Sequence, residues 1–477
     1  MKTLVAQASE GPARGRALRV NRRHVVGPAG SALAVSGAAL AACAPAVGGA
    51  PGSGTTGSGG GRQVTLEVWN SDWGVLYNDY MRAIGDDFTK QAPNIKVTWT
   101  FQESIDQKII AAIAGGSPPD THYTNINFQG SFAFKGMLRP LDDYMKGTRL
   151  GRKDFITSMY DIGTWQGKLY AIPGGSDWDA LFWNKDLFAE AGLDPERPPK
   201  TLKEFEEVSL RLLLKDSSGN ITRIGWSPGH ASSPGFLHLI NYFGGQVYDE
   251  ARQKITIDHP KVLECLDYLV AYARKLDYAN ATAFWTGKPN YRSADSPFAS
   301  GTSAFQNTGF WAYEPFDRNV PHMRYGVMTH PTLTGSKEEL KHYVIHGWLY
   351  AIPKESRNPE EAWQFDRYAF VDQAARMGYL TLNGPCPLAQ LEPFRKAMVE
   401  QVLKPNNRLT PYLNVFLEIA RSGTKYLPST PVAPVFNAQI TAAFRAALTG
   451  EKSSREALAE ATQTVQAELD AALRGTA

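Results

Sequence analysis

Side chains that can hydrogen-bond to a ligand or stack on it are concentrated in three short stretches of the chain. These are residues 69–73 (WNSDW), 102–103 (QE) and 124–127 (TNIN), and each follows a run that predicts a β-strand. In open α/β sheets, ligands bind outside the carboxyl ends of the strands. The stretches therefore predict one binding site, with candidate residues Asn70, Asp72, Trp73, Gln102, Asn125 and Asn127.

The chemistry of these residues is recognition rather than bond cleavage. Carboxylates and amides exchange hydrogen bonds with hydroxyl groups, and indole rings cover the flat apolar patches of a ligand. The sequence contains no His-Glu-x-x-His zinc motif, no nucleophile elbow and no cysteine cluster. We therefore expect no catalytic residue, no metal ligand, no cofactor and no enzymatic activity.

The elements that must position these residues alternate along the chain. Residues 64–68 and 95–101 alternate apolar and polar side chains, which is typical of half-buried strands. Between them, Tyr77, Tyr80, Met81, Ile84 and Phe88 form one apolar face of a predicted helix. A second helix and a third apolar run follow, and further on the capping box Thr201-Leu202-Lys203-Glu204 predicts the start of another helix. Strands alternating with helices predict an α/β fold with a parallel sheet.

The N-terminal residues have the composition of an export signal. Six Lys or Arg residues and one acid precede a weakly apolar stretch that ends in Leu40-Ala41-Ala42-Cys43. This stretch is less apolar than a membrane-spanning helix. This tetrapeptide resembles a bacterial lipobox. It predicts residues 1–42 as a lipoprotein signal peptide and Cys43 as the lipidated mature N-terminus. Arg22-Arg23 resembles a twin-arginine signal, so both the Sec and the twin-arginine routes stay open.

The composition after the signal predicts a tether and a large folded region. Residues 43–62 are mostly Gly, Ser, Thr, Ala and Pro, as in flexible linkers. The net charge of +3 falls to about −2 without the signal, which leaves no basic surplus for nucleic acid. Cys265 and Cys386 are too few for a disulfide framework, although one bridge between them stays open. The remaining length suffices for two domains.

Several stretches, in a common order, resemble extracellular solute-binding protein family 1, the sugar-binding lipoproteins of ABC importers related to maltose-binding protein. The longest are residues 167–173 (GKLYAIP) and 180–188 (ALFWNKDLF). A second pattern runs from Phe298 to Trp311, and a third runs from Gly347 to Phe365. Each motif is weak alone, but their order makes the resemblance specific.

The resemblance implies a two-lobed α/β fold of the periplasmic-binding-protein type II class, with a hinge between the lobes. It places residues 63–173 and 331–373 in the N-terminal lobe and residues 174–330 and 374–477 in the C-terminal lobe. It also implies the extracytoplasmic, membrane-anchored substrate-binding subunit of an ABC importer. Such a subunit, expected to be a monomer, captures a mono- or oligosaccharide between the lobes and delivers it to the permease subunits, which work with an ATPase.

Family positions add further candidates for the ligand site. Asp177 matches a carboxylate at the lobe crossing, and Trp311 matches a stacking tryptophan of the second lobe. Trp178 and Trp348 offer other stacking faces, and Asn383 is a further polar candidate. Asp72 and Asn127 lie where relatives have sugar-binding acids. Since Asn127 is neutral and Thr124 replaces a tryptophan, the pocket is not expected to be shaped for maltose.

Two alternatives stay open at this point. A glycoside hydrolase would need two carboxylates across a cleft, and Asp72 and Asp177 are a conceivable pair. A binding protein for a carboxylate-bearing or other non-sugar solute would call for an arginine clamp, which Arg292 or Arg139 could supply. Asp72 and Asp177 can also be read as helix caps or surface acids. Trp99 and Trp363, on regular apolar periods, are assigned to packing.

Overall fold

The computed structural model describes residues 62–103, 105–403, 406–425 and 429–475. The predicted signal peptide, Cys43 and nearly all of the predicted tether lie outside these described residues. Within the described ranges, no helix combines the length and the apolar character that a bilayer crossing requires.

Five strands form the first sheet, in the order β2-β1-β3-β14-β6. Strands β1, β2 and β3 are parallel, and β14 runs antiparallel between β3 and β6. On β1, Val64, Leu66 and Val68 are buried while Thr65 and Glu67 are exposed, so the predicted alternation is confirmed. The strands are β1 Val64–Ser71, β2 Ile95–Gln102, β3 Thr121–Asn125, β6 Ala171–Asp177 and β14 His346–Ala351.

Helices cover the faces of this sheet, and with it they form what we call the first lobe. The helix Val75–Gln91 buries Met81, Ile84 and Phe88 as its apolar period predicts. Tyr77 and Tyr80, one turn earlier on the same face, are only partly buried. Other helices in contact with the five strands or with that helix include Ile105–Ala114, Thr157–Ile162, Pro359–Arg367, Ala374–Thr381 and the π-helix Tyr368–Asp372.

Three antiparallel strands form the second sheet, in the order β12-β7-β13. They are β7 Ala180–Asn184, β12 Phe305–Thr308 and β13 Tyr325–Met328. The helices Lys185–Glu190, Leu202–Leu212, Phe236–Tyr242, Pro260–Leu276, Tyr278–Trp285, Tyr313–Asn319, Leu413–Ser422, Ala433–Thr449 and Ser454–Arg474 complete what we call the second lobe. A capping box at Thr201 and Glu204 begins one of them, as the sequence predicts.

Smaller elements complete the described chain. The helices Gln129–Phe134, Asp142–Lys146 and Leu391–Ala397 lie between the larger ones, and Tyr368–Asp372 and Met398–Leu403 are π-helical. The remaining strands pair in twos: β4 Thr164–Trp165 with β5 Lys168–Leu169, β8 Leu214–Lys215 with β9 Ile221–Arg223, and β10 Tyr248–Asp249 with β11 Lys254–Ile255.

The chain passes between the lobes beside β6. Only Trp178 and Asp179 separate β6 of the first sheet from β7 of the second. A second passage leads from β13 back to β14, and a third segment pairs with β6 through the bridge between Ser176 and Gly384. Cys265 and Cys386 are both buried and free, so the bridge that the sequence left open is not formed. The two-lobed α/β fold with its hinge is confirmed.

A buried acid in the first lobe, Asp366, is protonated, as its burial and its hydrogen-bond partners indicate. Asp366 is 1% exposed, and burial raises its pKa well above the usual value. The Thr121 hydroxyl lies 2.7 Å from Oδ2 of Asp366 and 3.2 Å from the carbonyl oxygen of Ala351, and its one proton cannot serve both acceptors. A protonated Asp366 donates to the hydroxyl and frees it to donate to the carbonyl.

We therefore expect Asp366→Asn to stabilise the protein at pH 8. Because the folded-state pKa is raised, wild-type stability is fully present below the unfolded-state pKa and is lost as the pH rises. The variant escapes this loss and gains roughly 1–3 kcal/mol at pH 8, the usual cost of an unsatisfied buried polar group. Urea unfolding at pH 4.5 and pH 8 measures the effect, with the exposed Asp86→Asn as control. A gain that does not grow with pH would contradict a protonated Asp366.

Candidate functional site

An aromatic wall stands at the carboxyl end of the first sheet. Trp73 follows β1 and is 47% exposed, and its ring centroid lies 6.1 Å from that of Trp348 and 6.2 Å from that of Tyr77. Trp348 on β14 is 6.4 Å from Tyr123 of β3. A Cβ atom on Gly175 of β6 would fall 2.7 Å from the Trp348 indole, so glycine lets this ring lie against the strand. Trp348 and Tyr123 are only 5% and 4% exposed, so the accessible stacking face of the wall is that of Trp73, next to polar strand ends.

Asp177, the last residue of β6, lies beside this wall. Its Oδ1 accepts a hydrogen bond from Nδ2 of Asn383 at 3.0 Å, and its Oδ2 lies 3.4 Å from Nδ1 of His346. Burial raises the pKa of Tyr77 and of Tyr123, and the Asp177 carboxylate raises both further. Asp177 and Asn383, two separately predicted site residues, are therefore joined directly, and Asp177 lies within electrostatic reach of the aromatic wall.

The second lobe contributes the opposite side of the site. Burial raises the pKa of Tyr291, and the Asp177 carboxylate raises it further. The Arg292 guanidinium and the Trp311 side chain lower it. Tyr291 thus interacts with both Asp177 and Trp311. The Trp311 ring is partly exposed and lies over Gly309, where an added Cβ atom would fall 2.1 Å from the indole. Aromatic residues of the two lobes therefore lie within electrostatic range of one carboxylate, and we call the region between them the cleft.

Two residues predicted after β1 have structural partners. Asp72 is exposed, and its Oδ1 accepts hydrogen bonds at 2.9 Å from the Gly74 backbone and from the Asn78 side chain, which lower the pKa of the carboxyl. It thus orders the start of the helix Val75–Gln91. Asn70 is fully buried, and its Oδ1 accepts from the Tyr350 hydroxyl at 3.0 Å. Asn70 supports the wall from behind rather than facing the cleft.

The remaining amides lie at the ends of the neighbouring strands. Gln102 ends the edge strand β2, and its backbone oxygen accepts from the backbone N–H of Asp72 at 3.1 Å. Asn125 lies opposite Trp348 in the sheet, and its Oδ1 accepts from the backbone N–H of Asn127 at 2.9 Å. All three are partly exposed. The structure thus gathers the predicted strand ends at one edge of the sheet.

Trp178 does not lie in the cleft, in contrast to the sequence expectation. It is 0% exposed, and its ring packs 5.6 Å from Phe310 and 5.7 Å from Phe394. The reason is the alternation of side chains in extended chain, which sends Trp178 to the side opposite its neighbours Asp177 and Asp179. Trp363 is packed in the core as predicted, and Trp99 packs beside Phe101.

Residues of the site that sequence reasoning missed are Tyr77, Tyr123, Tyr291 and His346. Tyr77 shares its helical face with core residues, and Tyr123 lies within a buried strand, so neither has a distinctive pattern. Burial alone would lower the pKa of His346, but Asp179 and Asp177 raise it well above the usual value. Burial alone would raise the pKa of Asp179, but His346 lowers it to about 2. The two form an ion pair at the hinge.

A separate cavity of about 450 Å³ lies between the lobes, away from the candidate site. Its walls include Thr164 and Trp165 of the first lobe and Asn241 and Tyr248 of the second. None of the residues described around Asp177 lines it. The cleft at Asp177 combines aromatic residues of both lobes with a carboxylate paired to Asn383, so we take it as the candidate functional site.

Comparisons with known proteins all indicate the same protein family. The model of the family described as bacterial extracellular solute-binding protein matches residues 74–376 of this chain. The structure of CpMnBP1 with mannotriose bound superposes on this chain with a TM-score of 0.70 and 27% sequence identity. The superposition covers 85% of this chain and 100% of CpMnBP1. These similarities extend across both lobes.

Two curated relatives are similar over shorter stretches. A maltotriose-binding protein of Pyrococcus abyssi is 22% identical over 232 residues, which are 48% of this chain and 46% of that protein. The sn-glycerol-3-phosphate-binding periplasmic protein UgpB of Escherichia coli (strain K12) is 27% identical over 187 residues, 37% of this chain and 40% of that protein. The chain therefore spans less than half the length of these curated relatives.

The different surroundings of two tryptophans predict different costs of truncation. Trp178→Ala removes a fully buried ring and should destabilise the protein by about 3–5 kcal/mol. Trp73→Ala removes a half-exposed ring and should cost less than about 1 kcal/mol. Urea unfolding of the two variants provides the comparison. Equal losses would show that Trp73 is as much a part of the core as Trp178.

Proposed function

The chain belongs to the bacterial extracellular solute-binding protein family, and from this premise we propose that it captures an oligosaccharide in the cleft around Asp177 as the substrate-binding subunit of an ABC importer. One observation supports this most strongly: a carboxylate held by the Asn383 amide lies within electrostatic range of aromatic residues of both lobes. Trp73, Tyr77 and Trp348 adjoin one another in the first lobe, and Tyr291 and Trp311 interact in the second. Sugars need both stacking faces and acceptors for their hydroxyl groups.

Two similar proteins favour several linked sugar rings over one. In the first lobe, Trp73, Trp348 and Tyr123 are joined in a row by contacts of 6.1 and 6.4 Å, and Trp73 carries the accessible face of this row. The similar protein CpMnBP1 holds mannotriose in its structure, and the curated relative from Pyrococcus abyssi is named for maltotriose. We propose a linear oligosaccharide of about this size, without assigning its sugar.

A phosphorylated solute is the second candidate, and one observation favours it. UgpB is named for sn-glycerol-3-phosphate, and Arg292 lies beside the cleft residue Tyr291, 5.6 Å from its ring. A phosphate group needs such a guanidinium. The carboxylate at the centre of the site opposes an anionic ligand, because like charges at close range repel. The neutral sugar therefore remains the proposed ligand.

The lobe arrangement supports capture by closure of the cleft. We propose that the lobes follow the division into residues 63–173 with 331–373 and residues 174–330 with 374–477, except that the helix Ala374–Thr381 packs on the first lobe, and that they close about the hinge beside β6. Burial raises the pKa of Tyr313 in the second lobe, and Glu314 and then Tyr80 of the first lobe raise it further. The closed form would be delivered to transmembrane permease subunits that work with an ATPase.

We expect mannotriose or maltotriose to bind and to raise the melting temperature, because a ligand that binds only the native state stabilises it. Calorimetry of the wild type with each sugar and with sn-glycerol 3-phosphate measures the binding. Trp311→Ala and Asp177→Asn should each weaken sugar binding at least about tenfold, or about 1.4 kcal/mol. Trp363→Phe, which changes a core ring, serves as the control and should bind normally.

Three outcomes would overturn the sugar proposal. Binding of sn-glycerol 3-phosphate alone, lost in Arg292→Gln, would assign a phosphorylated solute. Release of reducing ends from the oligosaccharides would assign a hydrolase. Unchanged sugar affinity in both Trp311→Ala and Asp177→Asn would place the binding site elsewhere, and the cavity lined by Trp165 and Tyr248 would be the next site to test.

We further propose that the protein is held at the outer face of the cell membrane by a lipid on Cys43. The lipobox-like sequence before this residue supports the proposal. Cys43→Ser removes the acylated thiol and should move the protein from the membrane fraction to the soluble fraction, as immunoblotting of fractionated cells would show. The control Cys265→Ser should stay in the membrane fraction. Persistent membrane association of Cys43→Ser would contradict the lipid anchor.

A further inference from the structure

We propose that Asp179, His238 and His346 form a binding site for a divalent transition-metal ion such as Zn²⁺, at the hinge and beside the ligand cleft. One potential ligand atom from each residue lies within 4.8 Å of the others. Two imidazoles and one carboxylate are a common protein ligand set for Zn²⁺, with water in the fourth position. No ligand spacing in the sequence predicts the site, because the three residues come from separate segments.

The donor atoms are close enough for small side-chain movements to form the site. Nε2 of His346 lies 3.0 Å from Oδ2 of Asp179. Around a tetrahedral Zn²⁺ with bonds of about 2.0–2.1 Å, ligand atoms lie roughly 3.3 Å apart. The pair is therefore already near the required separation. His238 would approach by an ångström or so through side-chain rotation in the helix Phe236–Tyr242.

The surroundings of the two histidines match those of metal ligands. The other ring nitrogen of His346, Nδ1, faces Asp177 Oδ2 at 3.4 Å, which corresponds to the carboxylate–histidine–metal arrangement that orients many zinc ligands. Nε2 of His238 is buried and has no hydrogen-bond partner among the described residues. A buried nitrogen without a partner is costly, and a metal ion would give it one.

A plain ion pair explains only part of this arrangement. It satisfies Asp179 and His346 but leaves His238 without a role, although its ring lies 5.8 Å from that of His346. His330 adds a further imidazole 6.3 Å from His238. The His346 side chain is 26% exposed and that of Asp179 is 14% exposed, so an ion can reach the site from solvent.

The three proposed ligands lie on different parts of the hinge. Asp179 is in the passage from β6 to β7, His346 begins β14 of the first sheet, and His238 lies on a helix of the second lobe. A bound ion would therefore link the lobes at the hinge. This placement separates the proposed site from the stacking surfaces of Trp73 and Trp311.

The test is metal binding by the exported protein, purified without a histidine tag and stripped with a chelator. Calorimetry with Zn²⁺ should show one equivalent bound, and Co²⁺ should give the strong visible absorption of a four- or five-coordinate site. His238→Gln and His346→Gln should each weaken Zn²⁺ binding at least about tenfold. His322→Gln, at an exposed histidine, is the matched control and should bind as the wild type does.

X-ray absorption of the zinc-loaded wild type provides a measurement that needs no variant. The spectrum should show two imidazole nitrogens at about 2.0–2.1 Å. Failure of the wild type to bind one equivalent, a zinc ion surrounded by oxygen atoms alone, or unchanged affinity in both folded histidine variants would overturn the proposal. None of these results depends on sugar binding, so the metal site and the proposed function can fail independently.

Discussion

The short passage between the two sheets is the constraint on which the rest of the site depends. Trp178 and Asp179 alone join β6 to β7, so the side chains there must alternate between two sides of an extended chain. Trp178 fills the apolar side against Phe310 and Phe394. Burying a ring of this size fixes the orientation of the passage. Asp177 and Asp179 must then face the other side, where His346 contacts both.

Close packing of backbone against indole rings holds the third segment to this passage. A Cβ atom on Gly384 would fall 2.1 Å from the Trp178 ring, and one on Gly175 would fall 2.7 Å from the Trp348 ring. Only glycine permits both approaches. The same contacts place Asn383, next to Gly384, within 3.0 Å of Asp177. The position of a polar group in the cleft therefore follows from the packing of apolar groups behind it.

The sequence predicted what depends on local periodicity and left open what depends on how segments meet. The alternation in β1 and the capping box at Thr201 are local, and both were confirmed. Trp178 and Trp348 have similar positions near strand ends, and only the sheet register distinguishes a core ring from a wall ring. Tyr77 shares a helical face with Met81, but periodicity does not show where the helix passes the edge of the sheet. Tyr291 lies in a loop and has no periodic signal.

The hydrogen bonds around Asp177 explain how a cleft can be ready for a neutral, hydroxyl-rich ligand. A carboxylate has about four acceptor positions, and Asn383 and His346 occupy one on each oxygen. These partners orient the group and leave acceptor capacity for hydroxyl donors. Because the carboxylate is already ordered, a ligand loses less free energy in fixing it than it would with a free side chain. In the proposed sugar complex, Asp177 would set the position of the ligand, and the rings of Trp73 and Trp311 would cover its apolar faces.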